Sequence, residues 1–186
     1  MPLTNGLVVM TPTSIVSTGT GNSSSINSDG SVTFSSCATL SLNGVFTSSY
    51  DNYMIVVRFP DSTTNSAIQI RLRVGGVDNS TASSYVVQRL VASGTAVASA
   101  RFTQATYEFG AAAGVSTRPS AYSIYCYGPF LTQPTAFRSV SIYGDGDSTI
   151  SDWACTHNQS TSYDGITIYP GAGNVGGLVT VFGFNQ

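Results

Sequence analysis

The chain contains no lysine, a single histidine and a single glutamate, and only 9% of its 186 residues are charged. Its seven basic residues are therefore all Arg, and the formal net charge is -2. Such a chain cannot present the polycationic surface that neutralises a run of phosphates, so nucleic acid and anionic membrane are poor candidate partners. Cysteine is scarce too. Cys37, Cys126 and Cys155 are odd in number and lack paired spacing, which argues against a disulfide framework and for reduced, buried thiols. No basic segment precedes the apolar run Leu7 to Met10, which is too short for a signal core or a membrane span, and nothing else addresses the chain for export. Helix signals are almost absent. The best window, Val91 to Ala100, contains Gly94 and Thr95 and no amphipathic stripe, and it reads as loop or strand.

What is present is apolar, aromatic and uncharged polar. Hydrophobic residues make up 41% of the sequence, with ten Tyr and nine Phe, and about 50 residues are Ser or Thr. The β-branched and aromatic bulk is sufficient for a packed core, so low charge does not mean disorder here. From Met1 to about Gly30 the sequence is Pro, Ser, Thr, Gly and Asn with isolated apolar pairs and no sustained period, which predicts an extended N-terminal arm over residues 1–30 suited to docking. After it, residues 31–186 show short runs of period two separated by Gly, Asn, Asp and Pro turns. The clearest is Ala67 to Val74, where Ile68, Ile70, Leu72 and Val74 face one way and Gln69, Arg71 and Arg73 the other. Further strands are expected at Tyr53 to Phe59, Tyr85 to Val91, Ala121 to Tyr127, Arg138 to Tyr143, Gly165 to Tyr169 and Leu178 to Phe184. The expectation is an all-β fold, an antiparallel β-sandwich of jelly-roll type.

Two stretches carry a family resemblance. One runs from Ser41 to Val57 (SLNGVFTSSYDNYMIVV), then Ile70 to Asp78 (IRLRVGGVD) and Ser84-Tyr85. The other runs from Asp164 to Pro170 (DGITIYP) through Gly173, then Gly177 to Phe184 (GLVTVFGF). Together they resemble a β-sandwich domain of bacteriophage tail-fibre and head-decoration proteins. The resemblance implies a virion structural protein, usually a homotrimer, with no catalytic residue to carry over. Val91 to Ala113 has no counterpart in it, and such an insertion is where receptor contacts would sit in an adhesin. Residues 1–30 are too short for the shaft of a long fibre, so a short tail fibre, a tail accessory or a capsid decoration protein fits better.

Few residues suggest chemistry. Asp145, Asp147, Asp152 and His157 form the one sequence cluster of potential metal ligands or proton-transfer groups, but a metal needs three or four converging ligands. Tyr143 to Ser148 reads more simply as a hairpin turn, since Asp-Gly pairs supply positive φ. It lacks the later Gly and Glu of an EF-hand loop. A glycosidase pair is not singled out around Glu108, no Gly-x-Ser-x-Gly elbow accompanies His157, and Gly171 to Gly177 is followed by no Lys or helix. The expectation is a protein with no catalytic residue, metal or cofactor. Arg71 and Arg73 can clamp an acidic sugar or pair with carboxylates of a neighbouring subunit. Tyr122, Tyr125 and Tyr127 can stack on sugar rings, with Tyr125 and Tyr127 on one strand face and Tyr122 on the other. The glycosylation triplets at Asn22, Asn79 and Asn158 mean little without a secretory route.

These features lead to a non-enzymatic virion component assembled in the host cytoplasm, docked to a capsid or tail protein through residues 1–30. A carbohydrate-binding module that recognises host surface polysaccharide is the alternative, and a hydrolase using Asp147, Asp152 and His157 the remote one.

Overall fold

Alternating burial sets the strands. The computed structural model describes residues 6–64, 66–113, 120–143 and 149–185. In chain order its strands are β1 (Val8–Val9), β2 (Ser14–Thr18), β3 (Ser23–Ile26), β4 (Val32–Cys37), β5 (Thr39–Asn43), β6 (Asn52–Ser62), β7 (Ser66–Val74) and β8 (Val77–Asp78). There follow β9 (Tyr85–Ser93), β10 (Ala96–Ala105), β11 (Glu108–Ala113), β12 (Ser120–Tyr127), β13 (Thr135–Tyr143), β14 (Thr149–His157), β15 (Gly165–Pro170) and β16 (Val175–Phe184). All seven runs expected as strands are strands. The window Val91 to Ala100 is the end of β9 and the start of β10, reversed at Gly94 with φ +54.

Every pairing is antiparallel, and the strands fall into two sheets. The ten-stranded sheet runs β10-β9-β14-β13-β12-β6-β16-β4-β3, with β1 beside β16. The six-stranded sheet runs β11-β7-β15-β5-β2, with β8 beside β7. One core joins them, as in a β-sandwich. Tyr53, Ile55, Val57 and Phe59 of β6 and Tyr122, Ile124 and Cys126 of β12 supply one side; Leu40 and Leu42 of β5, Ile68, Ile70 and Leu72 of β7, and Ile166 and Ile168 of β15 supply the other. Each such buried side chain contributes about 1.5–3 kcal/mol relative to exposure. Phe59 links two aromatic neighbours, with Phe34 edge-on at 6.0 Å and Tyr122 stacked at 5.5 Å. Cys37, Cys126 and Cys155 are buried thiols within or beside this core.

The two stretches that carry the family resemblance lie about 80 residues apart in sequence and fold against each other. Strand β15 lies between β5 and β7, while β16 pairs along the whole of β6, from Val175 opposite Ser62 to Phe184 opposite Asn52. The register slips between Gly176 and Leu178, and there the chain comes so close to β6 that a Cβ on Gly177 would collide with the Arg58 carbonyl oxygen.

Within the stretch expected as an extended arm, residues 6–30 pair into the two sheets. Val8 and Val9 pair with Gly183 and Phe182 of β16, Met10 N donates to Val181 O at 2.8 Å, Ile15 sits opposite Leu42 of β5, and Ser24 sits opposite Phe34 of β4. Strands β1 and β3 belong to the large sheet and β2 to the small one, so the segment crosses between sheets. Its strands were hidden because Ser and Thr occupy both faces, which removes the period-two contrast.

Candidate functional site

His157 ends β14 on its inward face and is completely buried. Its Nε2 lies 2.6 Å from Tyr163 Oη, and Asn79 Nδ2 donates to the same oxygen at 2.8 Å. Because Asn79 can only donate there, the Tyr163 hydroxyl proton is left for His157 Nε2, which makes the imidazole neutral and an acceptor. Burial pushes the His157 pKa down to about 4, with a backbone hydrogen bond at Ser84 partly opposing it. The Tyr85 ring lies against the imidazole at 4.2 Å. The Tyr85 hydroxyl accepts from Leu72 N at 3.0 Å and donates to Asn79 O at 3.1 Å, and burial raises its pKa well above the ordinary tyrosine value. This network ties β14, the β15 approach and the loop after β8 together. His157 is closed off from solvent, and the arrangement is that of a buried polar network joining neighbouring strands.

Of the candidate ligands within the described residues, Asp152 does not meet that imidazole. Asp152 and His157 lie five residues apart on one strand, so the pleat sends them to opposite faces. On the outer face Asp152 makes a two-point ion pair with Arg138 of the neighbouring strand, at 2.7 Å from Nη2 and 3.3 Å from Nε. That pairing keeps the exposed Arg138 guanidinium above its ordinary pKa. Asp145 and Asp147 lie outside the described residues. Among the described residues no three His, Cys, Asp or Glu side chains gather to hold a metal. The pleat thus keeps the Asp152 carboxylate apart from the His157 imidazole.

The two arginines part company as well. Arg73 is buried rather than offered to a ligand: its Nη1 lies 3.1 Å from Asp78 Oδ1 and donates to Thr167 Oγ1 at 2.6 Å, and its Nη2 donates to the Gly76 carbonyl. Thr167 donates in turn to Asp78 Oδ1 and lies 2.9 Å from Ser41 Oγ, so the guanidinium staples β7, β8, β15 and β5 on the outer side of the small sheet. The expected clamp on an acidic sugar is in this residue an internal fastening, because a buried guanidinium needs its partners close by. Arg71 lies 4.9 Å over the Tyr169 ring and donates from Nε to Thr106 O at 3.2 Å, half-buried.

The tyrosines divide as their alternation predicts. Tyr122 is buried against Phe59, while Tyr125 and Tyr127 share the outer face, their rings 6.3 Å apart and only 13° from parallel. Phe184 stands edge-on to Tyr125 at 6.3 Å. Beside them a shallow groove of about 450 Å³ is lined by Gly6, Leu7, Met54, Tyr125, Phe184 and Asn185. Its walls are mainly apolar, with the Asn185 amide at one end. Leu7, Met54, Phe184 and Asn185 were not legible as its walls, because β1, β6 and β16 meet there only through the sheet register. The Asn79–Tyr163–His157 chain was equally hidden, its members up to 84 residues apart.

No protein-family model matches the sequence, and no curated protein matches it at a significant level.

Proposed function

We propose that the chain is a non-enzymatic structural component of a bacteriophage virion, a short tail fibre or capsid decoration protein. It works by self-assembly into a homotrimer, by docking on another virion protein and by adhesion to the host surface. The observation that carries the reading is the juxtaposition of the two resembling stretches: they pair strand for strand at the centre of an antiparallel, two-sheet fold. Three candidate groups for chemistry in the described part of the molecule, His157, Arg73 and Asp152, are engaged by Tyr163, Asp78 and Arg138, which suits a structural role. The jelly-roll form of the sandwich belongs to the same proposal.

Docking falls to residues 1–30 in a particular way. On one side both sheets end in strands of this segment, β3 in the large sheet and β2 in the small one. Their outer edges offer backbone N–H and C=O groups that a strand of a capsid or tail protein can pair with. Immunolabelling of purified particles from cells that carry the gene tests the reading. Antibody bound at fixed positions on heads or tails is the expected result, and label confined to the particle-free fraction would contradict it.

A carbohydrate-binding reading is favoured by one specific feature, the near-parallel Tyr125 and Tyr127 rings beside the Met54–Phe184 groove. It expects a glycan array to yield a host-type polysaccharide whose binding is lost in Tyr125→Ala. An array with no binder would remove it and leave the structural reading standing.

A further inference from the structure

The half of the β13–β14 pair nearest Tyr143 and Thr149 is amphipathic in the wrong sense for a solvent-facing sheet. There the inward residues Ser139, Ser141, Thr149 and Ser151 are buried and the outward residues Val140, Ile142 and Ile150 are exposed, whereas further along Phe137, Trp153 and Cys155 face inward in the usual sense. An antiparallel sheet with one wet face shows the opposite alternation, apolar in and polar out. The inversion continues across neighbouring strands. Register places Ile142 opposite Ile150, Ile150 opposite Ala92, and Ala92 opposite Val97; one step along, Val140 lies opposite Asp152 and Asp152 opposite Leu90, and on the other side Val140 pairs with Ser123, which lies opposite Val56. Val97 is 70% exposed, Ile142 56%, Ile150 54% and Leu90 53%.

These side chains form one patch on the outer face of the large sheet, six strands wide from β10 to β6, or about 24 Å at the usual strand spacing. The six large apolar residues Val56, Leu90, Val97, Val140, Ile142 and Ile150 expose roughly 500 Å² between them, at the upper end of what a lone soluble protein leaves open. With Ala92, Ala121, Tyr125 and the Arg138–Asp152 pair the face reaches about 800 Å², the share that one partner brings to a stable interface. A peptide or a single helix, about 10 Å across, would leave more than half of it wet. The occupant must be a broad, flat and mainly apolar surface, because Arg138 and Asp152 satisfy each other at 2.7 Å and the exposed Arg58 and Arg101 stand at the margins of the face.

We infer that this face is where copies of the chain meet, each covering the outer face of the next copy's large sheet around Val140, Ile142 and Ile150. Around a three-fold axis the stripes of three copies turn toward one another, and their apolar side chains form the interface core around the Arg138–Asp152 pair, which is satisfied within each copy. The inference rests on the self-assembling reading above and adds the surface through which assembly occurs.

Light scattering of the wild-type chain and of the double variant Ile142→Lys/Ile150→Lys tests it. Both residues are more than half exposed, so an unchanged circular dichroism spectrum and melting temperature are expected. The wild type should be an oligomer and the variant a 19.4 kDa monomer, with association weakened at least tenfold. Leu90→Gln/Val97→Ser, a milder pair on the same patch, should weaken assembly in the same direction and serves if the lysine variant fails to fold. Variants that keep the wild-type mass would overturn the inference while the self-assembling reading survives. A monomeric wild type would overturn both and leave the face to a protein other than this chain.

Discussion

His157 is the one imidazole in the chain, and it sits uncharged in the core with Nε2 accepting from Tyr163. Its folded pKa is down near 4, against an ordinary 6.5. Between those values the unfolded chain takes up a proton that the native state refuses, so stability falls as pH drops from about 6.5 to 4 and is fully retained above that window. Thermal melts across pH 4–7 should therefore show a steeper acid loss for the wild type than for His157→Gln, which keeps an acceptor for Tyr163 without a titrating ring; parallel curves would contradict the buried neutral imidazole. Tyr163→Phe removes the hydroxyl that joins Asn79 to His157 and leaves the buried imidazole Nε2 without its partner. It should cost about 1–3 kcal/mol in a denaturant titration. Residues of this kind were not legible in the sequence as a unit. His157 stood out through its rarity and its neighbouring aspartates, but its partners come from Asn79, Tyr85 and Tyr163, which only the fold brings near. Arg73 misled for a related reason: alternation correctly set it on the polar side of its strand, and sequence periodicity carries no information about Asp78 and Thr167 closing over it.

Among the elements, β6, β7, β12 and β16 were readable because apolar residues at every second position face a deep core, as Ile68, Ile70 and Leu72 do. Strands made of Ser and Thr were not. Ser23 to Ile26 and Thr149 to His157 carry polar residues on inward and outward faces alike, so no period distinguishes them from loop. The same lack of period hid the strands of residues 6–30. With β1, β2 and β3 paired into both sheets, a chain starting at Ser31 loses the strands that cover the edges of β4 and β5 and part of β16. It should melt at a lower temperature and aggregate through those uncovered edges, both visible when the two chains are heated side by side in a scattering cell. A truncated chain as stable as the full one would show that the three strands add nothing. Within β16, Gly177→Ala should destabilise by about 2 kcal/mol or more, because its methyl group would enter the space of the Arg58 carbonyl oxygen at the register slip. Equilibrium unfolding measures this directly, and an unchanged midpoint would mean that the two strands can move apart there at little cost.

On the scale of the whole molecule, composition foretold the class: an aromatic, β-branched, weakly charged chain became two antiparallel sheets around one core. What composition could not foretell is which side of the large sheet would be left apolar. Val140, Ile142 and Ile150 are exposed and the serines between them are buried, an arrangement that follows from the placement of β13 and β14 in the sheet. That arrangement makes association the property on which the account depends. The most direct measurement is the mass of the full wild-type chain by light scattering over a range of concentrations. The account predicts a species of about 58 kDa, three copies of a 19.4 kDa chain, persisting on dilution. A mass of 19.4 kDa at every concentration would contradict it.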